Sequence, residues 1–198
     1  MKKIFFSFLC FSMVQLFAQI PTLGLVVYYP YNHTGTIIEN SPNFSFSSSS
    51  EFSVSLCCNF NSLPYNESTL IWYGTLDQGN FVWSVGTWNG QLAFGCAKQQ
   101  SAWTIIGTSL SNFSTSKWYH IVTVYRNGKI SFYVNGQLKS SDQYNNSYAQ
   151  SKRMPFSIGV TYVGDREPWN YFNGEIDCVR IYDRALTSNE ILRLYSEN

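Results

Sequence analysis

Residues 118 to 137 constrain this chain most: Trp118-Tyr-His-Ile-Val-Thr-Val-Tyr-Arg-Asn-Gly-Lys-Ile-Ser-Phe-Tyr-Val-Asn-Gly-Gln137. Two strand-like runs are broken by Asn127-Gly128 and Asn135-Gly136, pairs that accept the positive φ angles tight hairpins require. The segment therefore predicts a β-meander. Alternation puts Ile130, Phe132 and Val134 on one face and Ser131 and Tyr133 on the other. Trp118 and Phe132 are expected between two sheets, with Tyr119 and Tyr133 facing outward.

The rest of the chain repeats this pattern. Gly24 to Tyr29 predicts a first strand, and Glu51 to Phe60 alternates Phe52, Val54, Leu56, Cys58 and Phe60 against Ser53, Ser55, Cys57 and Asn59, which predicts one buried and one polar face. Further strands are predicted over 69–73, 80–87, 91–96, 155–160 and 174–182. Thr187-Ser-Asn-Glu190 fits a capping box that starts a short helix through Tyr195. About ten closely spaced strands argue an all-β, two-sheet antiparallel sandwich with a short C-terminal helix. An 18% aromatic and 13% charged composition suits such pleated faces. The 198 residues can bury one substantial core.

Lys2-Lys3 followed by the apolar stretch Ile4 to Ala18 reads as a secretory signal peptide, with Ala18 as the cleavage point. Ser7, Ser12 and Gln15 interrupt a run already shorter than the roughly 20 apolar residues a membrane span needs. The chain divides into a leader, 1–18, and one domain, 19–198, expected outside the cytoplasm and untethered to a membrane. Thirteen basic residues face twelve acidic ones. With Lys2 and Lys3 in the leader, no basic patch calls for nucleic acid. Cys57, Cys58, Cys96 and Cys178 remain as disulfide candidates in an exported chain, and their pairing stays open among three possibilities. No Cys-x-x-Cys pair suggests zinc.

Five blocks in order resemble the laminin G-like jelly-roll family of the concanavalin A-like sandwiches: Gly24-Leu-Val-Val-Tyr-Tyr-Pro-Tyr31, Phe52-Ser-Val-Ser-Leu56, Trp118-Tyr-His-Ile-Val122, Phe132-Tyr-Val-Asn-Gly136, and Phe172-Asn-Gly-Glu-Ile-Asp177 through Tyr182 and Leu186. The stretch between Tyr31 and Phe52 is shorter than is usual in that family, and Cys57 stands where a tryptophan is common. The resemblance implies a jelly roll, and it implies that Asp177 could hold a structural calcium with oxygens from the opening segment, Asn32, Glu39 and Asn40 being the nearest candidates. The same fold hosts glycoside hydrolases that place Glu, Asp and Glu on one strand. Here Glu175-Ile-Asp177 begins that pattern, but Val179 and Arg180 follow where the second Glu would stand, so the flanking carboxylate pair is missing. His33 and His120 sit far from any nucleophile elbow, and His120 reads as a packed sheet residue.

Sugar recognition has the best physical support. The loop Gly164-Asp-Arg-Glu-Pro-Trp169-Asn-Tyr-Phe172 offers rings that can stack on a pyranose, Trp169 and Tyr171, beside Asp165, Arg166 and Asn170 as hydroxyl partners. Trp88 and Trp103, near turns, offer the same chemistry. The resulting expectation is a secreted, non-catalytic recognition module for a glycan or an extracellular protein surface. The competing classes are a divergent glycoside hydrolase and a purely structural adhesion or envelope protein.

Overall fold

The computed structural model describes residues 21–30, 36–38, 51–75, 80–97, 103–144, 155–162, 164 and 167–197. The predicted leader, 1–18, lies outside them. In chain order the described strands are β1 (Leu25–Tyr29), β2 (Thr36–Ile38), β3 (Phe52–Phe60), β4 (Ser68–Thr75), β5 (Asn80–Trp88), β6 (Gln91–Ala97), β7 (Trp103–Ser109), β8 (Trp118–Arg126), β9 (Lys129–Val134), β10 (Gln137–Gln143), β11 (Phe156–Ile158) and β12 (Gly174–Tyr182), followed by helix α1 (Ser188–Ser196). They form two antiparallel sheets of six strands each, ordered β1-β12-β3-β8-β9-β10 and β2-β11-β4-β5-β6-β7. The predicted all-β sandwich with a C-terminal helix is the fold observed.

The meander turns as its Asn-Gly pairs require. Asn127 and Gly128 have φ of 50° and 74°, and Asn135 and Gly136 repeat those values, both residues positive as in a type I′ hairpin. Asn89-Gly90 joins β5 to β6 the same way, with φ of 48° and 73°. Three strands, β2, β7 and β10, lie outside the predicted runs. β10 carries almost wholly exposed side chains, so no apolar alternation marks it, and β7 was hidden by its short Thr-Ile-Ile-Gly-Thr run.

Between the sheets lies an aromatic seam. Phe132 is fully buried there, as alternation along β9 predicts. Trp118 is not: its side chain is 46% exposed. Along β8 it is Tyr119, Ile121 and Tyr125 that enter the core, while His120, Val122 and Val124, of opposite parity, lie on the sheet's other face. Tyr119, expected outward, packs edge-on against Phe113 at 4.8 Å, and its hydroxyl accepts the Ser114 N–H at 2.8 Å. Tyr119 and Ile121 set the parity of β8, so the large ring of Trp118 falls on the opposite face. Consequently Trp118→Ala should change stability by no more than about 0.5 kcal/mol, the usual range for a surface site, in chemical denaturation.

The outer face of β3 is buried too, against expectation. A second apolar cluster of Val122, Val124, Tyr182, Ala185, Leu186, Ile191 and Leu194 covers it with the helix and the segment before it. Ser53 fastens that segment, donating from its hydroxyl to the Arg184 carbonyl and accepting the Leu186 N–H, both at 2.9 Å. The helix begins on the predicted capping box: Thr187 Oγ1 accepts from the Glu190 N–H, and the Glu190 carboxylate accepts from the Thr187 N–H at 2.8 Å. Arg184 donates to both oxygens of Glu190 at 2.6 and 2.9 Å. That fork, helped by the Thr187 donors, holds the Glu190 carboxyl down to about 2 from an ordinary 4.5. The stabilisation is therefore complete above about pH 4.5 and lost as pH falls through the folded value. Glu190→Gln should cost about 1 kcal/mol at pH 7, solvent screening included. The gap between variant and wild type should close between pH 4.5 and 2 in denaturant titrations.

Candidate functional site

On the outer face of the second sheet, alternation brings small residues into register. Ser84 pairs with Gly95, which pairs with Ile105; Gly86 pairs with Ala93, which pairs with Gly107. The floor is thus almost free of side chains. Trp88 uses that space. A Cβ on Gly86 would meet its Cη2 at 3.2 Å and one on Gly95 at 3.7 Å, so the indole lies down across the two glycines.

Around this floor stands a cleft of ≈ 300 Å³, within the range of small-molecule sites. Trp88 and Trp169 supply its open rings and Trp72, buried, part of its wall; Ile105, Thr69, Thr161, Asn89, Asn170 and Glu67 complete it. The loop that carries Trp169 is tied to the sheet by its backbone: Thr161 and Trp169 exchange N–H to carbonyl bonds at 2.8 and 3.2 Å. The Thr69 N–H donates to the Asn170 carbonyl at 3.0 Å, and the Thr69 and Thr161 hydroxyls bond at 2.6 Å. Asn170 donates weakly to the Glu67 carboxylate at 3.4 Å. Trp169 is 48% exposed, so the ring is held in position while one face is open to water. The same loop meets the core through its last residue. Phe172 is buried and packs edge-on against Phe60 at 5.2 Å.

Of the predicted ligand residues, Trp169 and Asn170 come together in this cleft, and Trp88 joins them. Tyr171 is 60% exposed and does not line it. Asp165 and Arg166 lie outside the described residues. Glu67, Thr69, Trp72, Ile105 and Thr161 were not anticipated. The readable signal for them was the outward alternation of small residues, Ser84-x-Gly86-x-Trp88 and Ala93-x-Gly95, which empties one face of a sheet.

The acids of β12 lie on the other sheet. Glu175 accepts from Asn59 Nδ2 at 3.2 Å, and Asp177 Oδ1 accepts the Cys178 N–H at 2.6 Å. Among the described residues that line the cleft, Glu67 is the one carboxylate. Asn32, Glu39 and Asn40, the proposed companions of Asp177 around calcium, lie outside the described residues, and no cluster of three or more His, Cys, Asp or Glu forms a metal site among those described.

His120 is the packed residue its sequence context predicts. Its Nε2 bonds Ser55 Oγ at 2.9 Å and its ring stacks on Tyr195 at 6.3 Å. Burial, with the Arg180 guanidinium nearby, pushes it down to about 4, so it is neutral at pH 7. Its Nδ1 is buried with no hydrogen-bond partner among the described residues, so no carboxylate completes a triad. No disulfide joins Cys57, Cys58, Cys96 and Cys178, against their reading as disulfide candidates. Neighbouring residues on a strand face opposite ways: Cys58 enters the core, whereas Cys57 lies opposite Asp177 and Cys96 belongs to the other sheet. Burial raises the Cys57 thiol to about 12, which leaves it unreactive.

The botulinum-like toxin eBoNT/J of an Enterococcus species is 30% identical over 172 residues, 80% of this chain and 13% of the toxin. This chain spans 13% or less of the length of the curated relatives it matches. The ligand binding domain of botulinum neurotoxin serotype D, solved with N-acetylneuraminic acid, superposes with a TM-score of 0.64 at 20% identity, covering 85% of this chain and 41% of that one. Domain 4 of AbnA, an extracellular GH43 arabinanase of Geobacillus stearothermophilus solved with arabinotriose, gives 0.63 at 21% identity, covering 86% and 98%. At such identities these structures share the fold. A laminin G-like family model matches residues 33–192, most of the sandwich just described. The chain belongs to the laminin G-like branch of the concanavalin A-like lectin/glucanases superfamily.

Proposed function

We propose that this domain is a non-catalytic recognition module, exported from the cell, whose tryptophan cleft binds a neutral glycan. One observation carries the reading: Trp88, lying over Gly86 and Gly95, and half-exposed Trp169 line one cleft, with Trp72 buried in its wall and hydroxyl and amide groups at its edges. Flat rings accept the apolar face of a pyranose or furanose, and threonine, asparagine and glutamate reach its hydroxyls. The small residues beneath let the Trp88 indole lie flat, so that it offers a flat ligand its face. Glu67 is the one charged residue in the lining; it repels acidic sugars and accepts hydroxyl hydrogens from neutral ones.

Hydrolysis is disfavoured by the same lining, because glycosidases need two carboxylates about 5 to 10 Å apart across the bond. The AbnA domain, solved with arabinotriose, and the serotype D toxin domain, solved with N-acetylneuraminic acid, make glycan binding a natural use of the fold. The charge of Glu67 favours the neutral kind of ligand here. Electrophoresis through gels containing arabinan, xylan, glucan or mannan tests this: retardation by at least one neutral polysaccharide is expected, and free migration through every one would count against it.

A further inference from the structure

A second cleft, which shares no lining residue with the tryptophan cleft, has the opposite polarity. It measures ≈ 460 Å³ and lies where β7, the Asn112 turn, the start of β8, the β9–β10 hairpin and helix α1 meet. Lys117 and Lys139 line it with Asn112, Asn135, Gln137, Tyr119 and Tyr195, and no carboxylate is among the lining residues.

The amides are oriented by their partners. Asn135 Oδ1 accepts the His120 N–H at 2.9 Å, which a backbone donor permits only for the oxygen. Gln137 Oε1 accepts from Lys139 Nζ at 3.0 Å, which again settles the amide. Both NH2 groups are left as donors with no partner among the described residues. Lys117 Nζ sits 5.5 Å from the centre of the Tyr119 ring, with no anion beside it. Asn112, whose Nδ2 donates to Thr108 Oγ1 at 3.0 Å, leaves one amide oxygen; against it stand two ammonium groups and two oriented amide donors, with no acid among the lining residues, so donors and positive charge predominate.

We propose that this cleft binds the oxyanion of an acidic saccharide, its sugar ring lying toward Tyr119 and Tyr195. The volume exceeds what a bare ion requires and falls within the range for small organic ligands. The domain would then carry two sites of different preference, neutral at the tryptophans and acidic at the lysines.

Backbone amide NMR titration of the folded domain separates the two sites. Glucuronate at millimolar concentration should shift the amides of Lys117, Asn135, Gln137 and Lys139. Glucose, of the same shape without the charge, should leave them in place. Galactose 6-sulfate run in parallel distinguishes a sulfate from a carboxylate as the preferred anion. Lys117→Gln with Lys139→Gln, both exposed, should leave the fold intact and weaken the response at least tenfold, and 0.5 M NaCl should weaken it in the wild type. Trp169→Ala should leave it unchanged, so failure here and failure of the tryptophan cleft are separately visible. An equal response to glucose, no response to either acidic sugar, or a response unchanged in the double lysine variant would overturn the proposal.

Discussion

Trp83→Ala is expected to destabilise the domain by about 3–5 kcal/mol and to lower its melting temperature by about 10 °C or more. The ring is fully buried and stands at the centre of the aromatic seam: Tyr73 at 5.6 Å, Phe94 at 5.9 Å, Phe52 at 6.4 Å and Phe156 at 6.5 Å between ring centroids. Phe52 belongs to the first sheet and Trp83 to the second, so the contact is one of the joints between layers. Neighbours drawn from different strands cannot collapse into the space without moving the sheets, which is why the cavity should stay largely open. Calorimetry checks the value; a loss below about 1 kcal/mol would mean the seam repacks and contributes little to holding the sheets together.

The second large effect concerns binding. Trp169→Ala should reduce affinity for the retained neutral glycan at least about 30-fold, since a central aromatic anchor is worth 2 kcal/mol or more. Stability should fall by no more than about 1 kcal/mol, because half the ring is already in water. The loop itself is anchored by backbone bonds to Thr161 and Thr69 that the substitution leaves intact. Calorimetric titration together with thermal melts reads both quantities. Unchanged affinity per folded molecule would remove this loop from the site.

Much of the architecture was legible because it depends on local chemistry. Asn-Gly pairs demand positive φ, and the two in the meander placed hairpins where the structure has them. Thr187 and Glu190 announced the helix start through a motif four residues long. What could not be read depends on partners distant in the chain. The outer face of β3 was taken as solvated, since Ser53, Ser55 and Cys57 alternate with apolar residues, yet the helix over 130 residues later covers it. Trp118 was placed inside on size alone, while parity along β8 belongs to Tyr119 and Ile121.

The cleft divides the same way. Trp169 and Asn170 stood out as a compact loop with stacking and hydrogen-bonding groups. Thr69 and Trp72 come from β4, Glu67 from the residue just before it and Thr161 from the bridge after β11, and only strand register brings them to the loop. The glycines that let Trp88 lie flat carried a signal of their own. Gly86 and Gly95 occupy strand interiors, where glycine weakens a sheet unless something must approach the backbone closely.

The indole N–H resonances of the tryptophans give the most direct measurement of the central claim. On addition of the neutral oligosaccharide corresponding to the retained polysaccharide, the signals of Trp88 and Trp169 should shift progressively with ligand and saturate together, while buried Trp83 stays fixed. Each signal is assigned by single substitution. Saturable binding that leaves both Trp88 and Trp169 unmoved would contradict the account, whatever surface it used instead.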